Sequence, residues 1–224
     1  MEDFLARVVP MRWNHEMDAG KPFDDAVRER QALFPEHAEL IALWRDRWPD
    51  MLGGPIEPTV ALLRELREGG QRVLALTNWS AETFPVARAR YGFLAWFEAI
   101  FVSGEECLAK PDPRFFELAQ VRGALVPSRT LFIDDNRANI ETAAAMGFDT
   151  HRFVEPEALR RGLVDRGLLR GLSVSGPRAR RDCARCTPHA RIPIHRLGEA
   201  QAWHPEGGPR NPIERLPWHS RIIP

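Results

Sequence analysis

The sequence predicts an α/β protein with a parallel β-sheet, a helical segment before it and an irregular segment after it. Three short apolar runs, at 72–77, 99–102 and 130–134, have the length and composition of buried strands. Amphipathic segments of helical period separate them, for example at 59–68 and 112–122. Near-continuous apolar strands that alternate with helices are typical of a parallel sheet covered by helices on both faces.

Residues 1–54 are expected to form a helical region of their own. Apolar residues recur at helical spacing after Pro22, as far as Phe34, and again from Glu36 to Trp48. The stretch 49–55 contains two prolines and two glycines, which interrupt the pattern and indicate a hinge.

The alternating region spans 55–169, and the last segment spans 170–224. In chain order we predict helices at 59–68, 81–90, 112–122 and 139–146, and strands at 72–77, 99–102, 130–134 and 150–154, the last at a sheet edge. Eight of the 19 prolines lie between residues 171 and 224, where no periodicity is visible. That composition predicts an irregular or disordered Arg/Pro-rich tail.

The overall composition narrows the classes of partner. Formal net charge is zero, so nothing favours a nucleic-acid partner. The sequence has neither a basic, apolar leader nor a run of about 18 apolar residues, which predicts a cytoplasmic protein without a membrane span. Cys183, Cys186, His189 and His195 have the residue types of a zinc site, but their spacing is too short for a zinc finger. We interpret that cluster as coincidence.

Polar residues that suit phosphate chemistry follow the predicted strands. Thr77 and Asn78 come directly after the first strand, and Asp134 and Asp135 after the third. Ligands bind at the carboxyl ends of strands in open parallel sheets. Two adjacent carboxylates suit Mg²⁺, and a hydroxyl with an ammonium group suits a phosphoryl group. The ammonium would come from Lys110, one of only two lysines among 31 basic residues.

Each of these features also has a structural reading. Thr77 and Asn78 could form an ordinary turn, Asp134 and Asp135 could cap the following helix, and Lys110 could be a solvated side chain. The order of all three features along the chain is more specific than any one of them.

Three motifs resemble those of the haloacid dehalogenase (HAD) superfamily of hydrolases. They are Leu-Thr-Asn at 76–78, Lys-Pro-Asp-Pro at 110–113 and Phe-Ile-Asp-Asp-Asn at 132–136. They resemble the second, third and fourth motifs of the superfamily, and residues 1–54 resemble its helical cap. The resemblance covers about residues 1–169 and implies a Rossmann-like core of the HAD type.

The resemblance also implies roles for individual residues. Thr77 would hold a phosphoryl oxygen, and Asn78 would support it as a further substrate-binding residue. Lys110 would bind substrate and offset negative charge during catalysis. Asp134 and Asp135 would bind Mg²⁺. The adjacent aspartates favour a phosphatase that acts on a small phosphorylated metabolite under a closing cap. A dehalogenase-type hydrolase and a catalytically inactive binding module remain as alternatives.

The first motif of the superfamily, a strand that ends in Asp-x-Asp, does not occur in the sequence. In related proteins its first aspartate attacks phosphorus, so we expect the chain as written to be inactive. The resemblance places the absent strand between the strands at 72–77 and 130–134. We expect an internal start or a degraded gene to explain the difference, and a change of reading frame near residue 170 could explain the tail.

Overall fold

Parallel strand pairs and helices make up residues 2–171, the part of the chain described by this computed structural model. The strands are β1 (Ala75–Thr77), β2 (Ile100–Val102), β3 (Leu131–Asp134) and β4 (Asp149–Arg152). The helices are α1 (Met11–Asp18), α2 (Phe23–Leu33), α3 (Ala38–Asp46), α4 (Trp48–Met51), α5 (Glu57–Glu68), α6 (Phe84–Arg90), α7 (Ser103–Glu106), α8 (Pro113–Gly123), α9 (Arg137–Ala145) and α10 (Pro156–Asp165). The predicted α/β class is confirmed. The tail predicted for 170–224 lies outside the described residues, apart from its first two positions.

The helices α1 to α4 share one apolar cluster, in which Trp13, Met17, Phe23 and Ile41 are buried. Pro22 precedes the first turn of α2, where a missing N–H group costs nothing. Helix α1 and a π-helical turn at Phe4–Val8 lie within the region predicted to be helical, although no separate helix was predicted there. The helical region of the sequence is therefore more continuous than its two clearest periodic stretches indicated.

The strands form two separate parallel pairs. β1 pairs with β2, so that Leu76 lies opposite Phe101, and β3 pairs with β4, so that Phe132 lies opposite Thr150. Among the described residues neither pair is joined to the other. The gap lies where the resemblance placed an absent strand.

A cavity of about 1230 Å³ lies between the two strand pairs and extends to the helical region. Its apolar walls include Leu76 of β1, Ile133 of β3 and Leu63 of α5. Helix α10, which was not predicted, packs Leu159 and Leu163 into the cluster that flanks β3. Over residues 2–171, none of the helices has both the length and the apolar character that a membrane span requires.

Candidate active site

The carboxyl ends of β1 and β3 bring all five predicted site residues to one cavity. Thr77 ends β1, Asp134 ends β3, and Lys110 lies in the loop that leads into α8. All three line the cavity, as do Asn78 and Asp135. Because parallel strands end at the same edge of a sheet, residues far apart in sequence meet here.

Lys110 and Asp134 form a buried ion pair. The Nζ atom of Lys110 donates to Oδ2 of Asp134 at 2.6 Å, and the two side chains are 6% and 3% exposed. The other carboxylate oxygen, Oδ1, accepts from the backbone N–H of Asn136 at 2.8 Å and from Nδ2 of Asn139 at 3.0 Å. Both oxygens of the carboxylate thus accept hydrogen bonds, as a buried charge requires.

Asn78 holds Lys110 through its backbone. Nδ2 of Asn78 donates to the carbonyl oxygen of Lys110, and the N–H of Lys110 donates to Oδ1 of Asn78, both at 2.8 Å. This pair of hydrogen bonds fixes the lysine loop to the end of β1. The resemblance implied that Asn78 supports Thr77, whereas the observed contacts of its side chain are with Lys110.

Asp135 is the exposed member of the aspartate pair. Only its backbone oxygen makes a hydrogen bond among the described contacts, with Nε of Arg152 at 3.2 Å. The helix cap of α9 is Asn136, whose side chain accepts from the N–H of Ala138 at 2.9 Å. The reading of the two aspartates as a helix cap is therefore wrong. The exposed carboxylate of Asp135 is left for other contacts.

The side chain of Asn139 lies beside Asp134 at the end of β3 and has one oxygen atom of its own. Its residue is 5% exposed, and within the described part of the chain its Oδ1 atom is buried without a hydrogen-bond partner. A buried amide oxygen without a donor is costly, so it favours a nearby water, donor or cation. The local sequence gave no signal for this role, because the residue reads as an ordinary helix position.

Asp18 was not predicted from the sequence. It ends α1 and lines the same cavity, and Nδ2 of Asn14 donates to its Oδ2 at 3.1 Å. Burial raises the pKa of the Asp18 carboxyl to about 7, and hydrogen bonds from Asn14 and the Ser80 backbone oppose the rise. The four-residue spacing of Asn14 and Asp18 on one helix indicates that their side chains can make contact. The desolvation of the Asp18 carboxyl could not be predicted in this way, because it depends on segments that are distant in sequence.

Ser103 connects the helical region to the strand ends. Its Oγ accepts from the N–H of Trp79 at 2.8 Å and donates to the backbone oxygen of Asp18. The Ser103 residue is fully buried. The end of α1, which carries Asp18, is therefore held against the loop that follows Thr77.

Comparison with known proteins defines the class. The model of the haloacid dehalogenase-like hydrolase family matches residues 6–147, and the chain belongs to that family. The chain is 34% identical over 100 residues to acyl-CoA dehydrogenase family member 10 of Mus musculus, a match that covers 42% of this chain and 9% of that protein. It is 34% identical over 87 residues to the sesquiterpene phosphatase astK of Aspergillus oryzae, covering 39% of this chain and 44% of the relative.

A third relative is (S)-2-haloacid dehalogenase 2 of a Pseudomonas species, 29% identical over 94 residues, with 42% of this chain and 41% of the relative covered. The chain spans less than half the length of each of these three relatives.

Solved structures share the fold at low sequence identity. A predicted HAD-like hydrolase from Porphyromonas gingivalis has a TM-score of 0.54 at 20% identity, covering 72% of this chain and 83% of that one. A HAD family enzyme from Bacteroides thetaiotaomicron, solved as a magnesium complex, also has a TM-score of 0.54, at 19% identity, covering 66% and 77%. The match to the family model confirms the superfamily assignment made from the sequence.

Proposed function

We propose that this site belongs to a magnesium-dependent phosphatase of small phosphomonoesters. The observation that carries the proposal is the buried Lys110–Asp134 pair beside the exposed carboxylate of Asp135. A buried ammonium group at the strand ends offers positive charge to a dianionic group, and catalysis of phosphoryl transfer depends mainly on such positioning and charge.

In this proposal Thr77 and Lys110 contact the phosphoryl group. The Thr77 hydroxyl donates to a phosphoryl oxygen, and the Lys110 ammonium offsets the charge that builds up during transfer. Asn78 acts through Lys110, because its amide holds the backbone of that residue at both the N–H and the carbonyl. Asn78 is therefore a positioning residue in this scheme, although the resemblance also implied that it binds substrate.

The oxygen atoms near the end of β3 fit Mg²⁺. Asp134 and Asp135 supply carboxylates, and Asn139 supplies a buried oxygen that lacks a donor. Within residues 2–171 no group of three or more His, Cys, Asp or Glu residues could hold a metal ion by itself. Mg²⁺ commonly binds through one or two carboxylates, with water and substrate phosphate completing its shell. Once bound, it would neutralise phosphate charge beside the two aspartates.

A nucleophile is the missing part of this proposal. Residues 1–224 contain no Asp-x-Asp sequence. We therefore propose that the chain by itself does not turn over phosphomonoesters, because charge and positioning cannot replace a group that attacks phosphorus. A cytoplasmic location and a small phosphorylated metabolite as substrate stay predictions.

A dehalogenase-type hydrolase is the second candidate, and the similarity to the Pseudomonas dehalogenase supports it. The adjacent aspartates at the end of β3 favour the phosphatase, since paired carboxylates facing a dianionic substrate repel it unless a cation lies between them. An inactive binding module is the third candidate. If the chain is such a module, an added amino-terminal strand should not create turnover of either substrate.

The deciding experiment compares the chain with a version that carries an additional amino-terminal strand ending in Asp-x-Asp. An aryl phosphate with Mg²⁺ and a 2-haloacid are the two substrates. We expect phosphatase activity only in the extended version, lost on Lys110→Ala and kept on Lys21→Ala, a change at the only other lysine of the chain. Haloacid turnover alone would favour the dehalogenase. Efficient, Lys110-dependent phosphatase activity of the shorter chain would contradict the inference of a missing nucleophile.

A further inference from the structure

The carboxyl of Asp18 lies where the helical region meets the carboxyl end of β1. Asp18 ends α1 and lines the cavity, and its carboxyl accepts a hydrogen bond from the backbone of Ser80. Ser80 follows Thr77, the last residue of β1, by three positions, which an extended chain spans in at most about 11 Å. The Asp18 carboxyl is therefore a short distance from the strand ends, where the phosphoryl group is proposed to bind.

This carboxyl is desolvated without a cation beside it. Nδ2 of Asn14 donates to Oδ2 of Asp18 at 3.1 Å, and the other donor is a backbone N–H, so both donors are neutral. In the part of the chain that the structure describes, no lysine or arginine forms an ion pair with Asp18. Burial raises the pKa of Asp18 to about 7, because the two hydrogen bonds do not offset the loss of water around the carboxylate. A cation supplied by a ligand would offset it.

Neighbouring residues hold the Asp18 carboxyl in place. Nε1 of Trp44 donates to Oδ1 of Asn14 at 3.3 Å, and the Asn14 amide in turn donates to the carboxyl. On the other side, Oγ of Ser103 donates to the backbone oxygen of Asp18. The Asp18 residue is half-buried and lines the cavity, so a ligand in the cavity can reach it. A side chain fixed by such contacts loses little further freedom when it binds a ligand.

The rest of this end of the cavity is largely aromatic. Trp44 and Trp48 line it with two indole rings, and Trp48 contacts Trp79 with ring centroids 5.7 Å apart. Apart from the exposed His15, no basic side chain of residues 2–54 lines the cavity. An anionic leaving group would meet a carboxyl here and little positive charge, whereas indole rings attract organic cations. The surroundings of Asp18 therefore favour a cationic group over an anionic one.

We propose that Asp18 is a specificity-determining residue, whose carboxylate binds an ammonium group on the leaving group of the substrate. The substrate class is then a small phosphorylated amino alcohol. Its phosphoryl group binds at Thr77 and Lys110, its ammonium group donates to Asp18, and its carbon skeleton packs against Trp44 and Trp48. The phosphoryl end of this inference rests on the proposed phosphatase function, whereas the ammonium end rests on Asp18 and its surroundings.

Three probes of similar size test the preference for positive charge. They are 4-(aminomethyl)phenyl phosphate and its two analogues that carry a hydroxymethyl or a carboxylate group in place of the aminomethyl group. Isothermal titration calorimetry with the full chain at pH 8, above the pKa of Asp18, measures their affinities. We expect the ammonium probe to bind at least about tenfold more tightly than the hydroxymethyl probe, because its hydrogen bond to the carboxylate joins two charged groups. The carboxylate probe should bind most weakly. Equal affinities of the ammonium and hydroxymethyl probes would overturn the proposal.

Three protein variants test the location of the ammonium group. Asp18→Asn removes the charge at nearly constant shape, and should lower the affinity of the ammonium probe to that of the hydroxymethyl probe without changing the latter. Glu16→Gln, a change at an exposed acid on the same helix, should keep the preference. Asp135→Asn should keep it as well. A preference that survives Asp18→Asn and disappears in Asp135→Asn would place the ammonium group at the end of β3 and overturn the proposal. Circular dichroism of the variants shows whether each is folded.

Two smaller probes, benzylamine and phenyl phosphate, separate this inference from the proposed function. Benzylamine should bind the parent chain and lose its affinity in Asp18→Asn. If benzylamine binds in this way and phenyl phosphate does not bind, the ammonium site stands and the phosphatase proposal fails. If phenyl phosphate binds and Asp18→Asn leaves the affinity for benzylamine unchanged, the ammonium site is wrong and the phosphatase proposal is unaffected.

Discussion

The side chains of Lys110 and Asp134 meet across 24 residues of sequence, with Nζ 2.6 Å from Oδ2 and exposed fractions of 6% and 3%. Their contact ties the loop before α8 to the end of β3. Because both groups are shielded from water, removing either one leaves the other charge buried and unpaired, which lowers the free energy of unfolding. The loss of one member of the pair is therefore expected to affect both the proposed chemistry and the stability of the site.

Lys110→Met should lower the free energy of unfolding by about 3–5 kcal/mol, because it leaves the Asp134 carboxylate buried without its cation. The double change Lys110→Met with Asp134→Asn should be less destabilising than the single one, since the uncompensated charge is gone. Urea unfolding of the three proteins measures both effects. Lys21→Met is the control, because Lys21 pairs with exposed acids and such pairs contribute at most about 1 kcal/mol. Equal losses for the two lysine variants would contradict the role of burial.

Mg²⁺ should bind the chain weakly, since the Lys110 ammonium already occupies one oxygen of Asp134. We expect Asp134→Asn to abolish binding and Asp135→Asn to weaken it, as measured by isothermal titration calorimetry. Lys110→Met should tighten Mg²⁺ binding, because it removes a like charge beside the metal. Asp165→Asn, at an exposed position on α10, is the control. Tighter binding in the Asp135 variant would refute the assignment.

The stability of the fold should fall as the pH rises from about 4 to about 7, through the ionisation of Asp18. Burial raises the pKa of this carboxyl to about 7 from its ordinary value of 3.8. Between these two pKa values the folded chain binds more protons than the unfolded chain. The stabilising contribution of protonated Asp18 is therefore full below the pKa of the unfolded state and lost above the pKa of the folded state. Asp18→Asn cannot ionise and should be the more stable protein near pH 8, by at most about 4 kcal/mol.

Urea unfolding across this pH range compares the parent with Asp18→Asn. Glu39→Gln, a change at an exposed acid on α3, should follow the parent. If the pH profiles of the parent and Asp18→Asn run parallel, the desolvation of Asp18 is not the cause of the slope.

Gly104→Ala should destabilise the chain even though Gly104 lies in the short helix α7. A Cβ atom there would come closer than 3.0 Å to backbone atoms of Trp79, Ser80 and Ala81, so the backbone has to move. We expect a loss of about 1–3 kcal/mol, as for other overpacked sites. Gly54→Ala has open space around it and should have little effect. Thermal unfolding of the two variants measures both effects. Equal midpoint temperatures for Gly104→Ala and Gly54→Ala would show that the loop after β1 accommodates the added Cβ atom at little cost in free energy.

The sequence by itself determined the α/β class and the site motifs, because these depend on local properties. Apolar runs of strand length and helical periodicity are visible in short windows, and they located β1 to β4 to within three residues at each end. The positions of Thr77, Lys110 and Asp134 just after apolar runs followed from the same pattern. Helix α10 could also have been predicted, since Leu159 and Leu163 lie four residues apart on one buried face.

Only the tertiary structure decided which of these groups meet and in what environment. The contacts of Lys110 with Asn78 and Asp134 join segments 32 and 24 residues apart, and no local rule fixes such distances. The desolvation of Asp18 arises where α1 packs against the loop after β1. The division of the strands into two pairs is likewise a property of spatial pairing, because a strand's own sequence does not specify whether both of its edges find a partner.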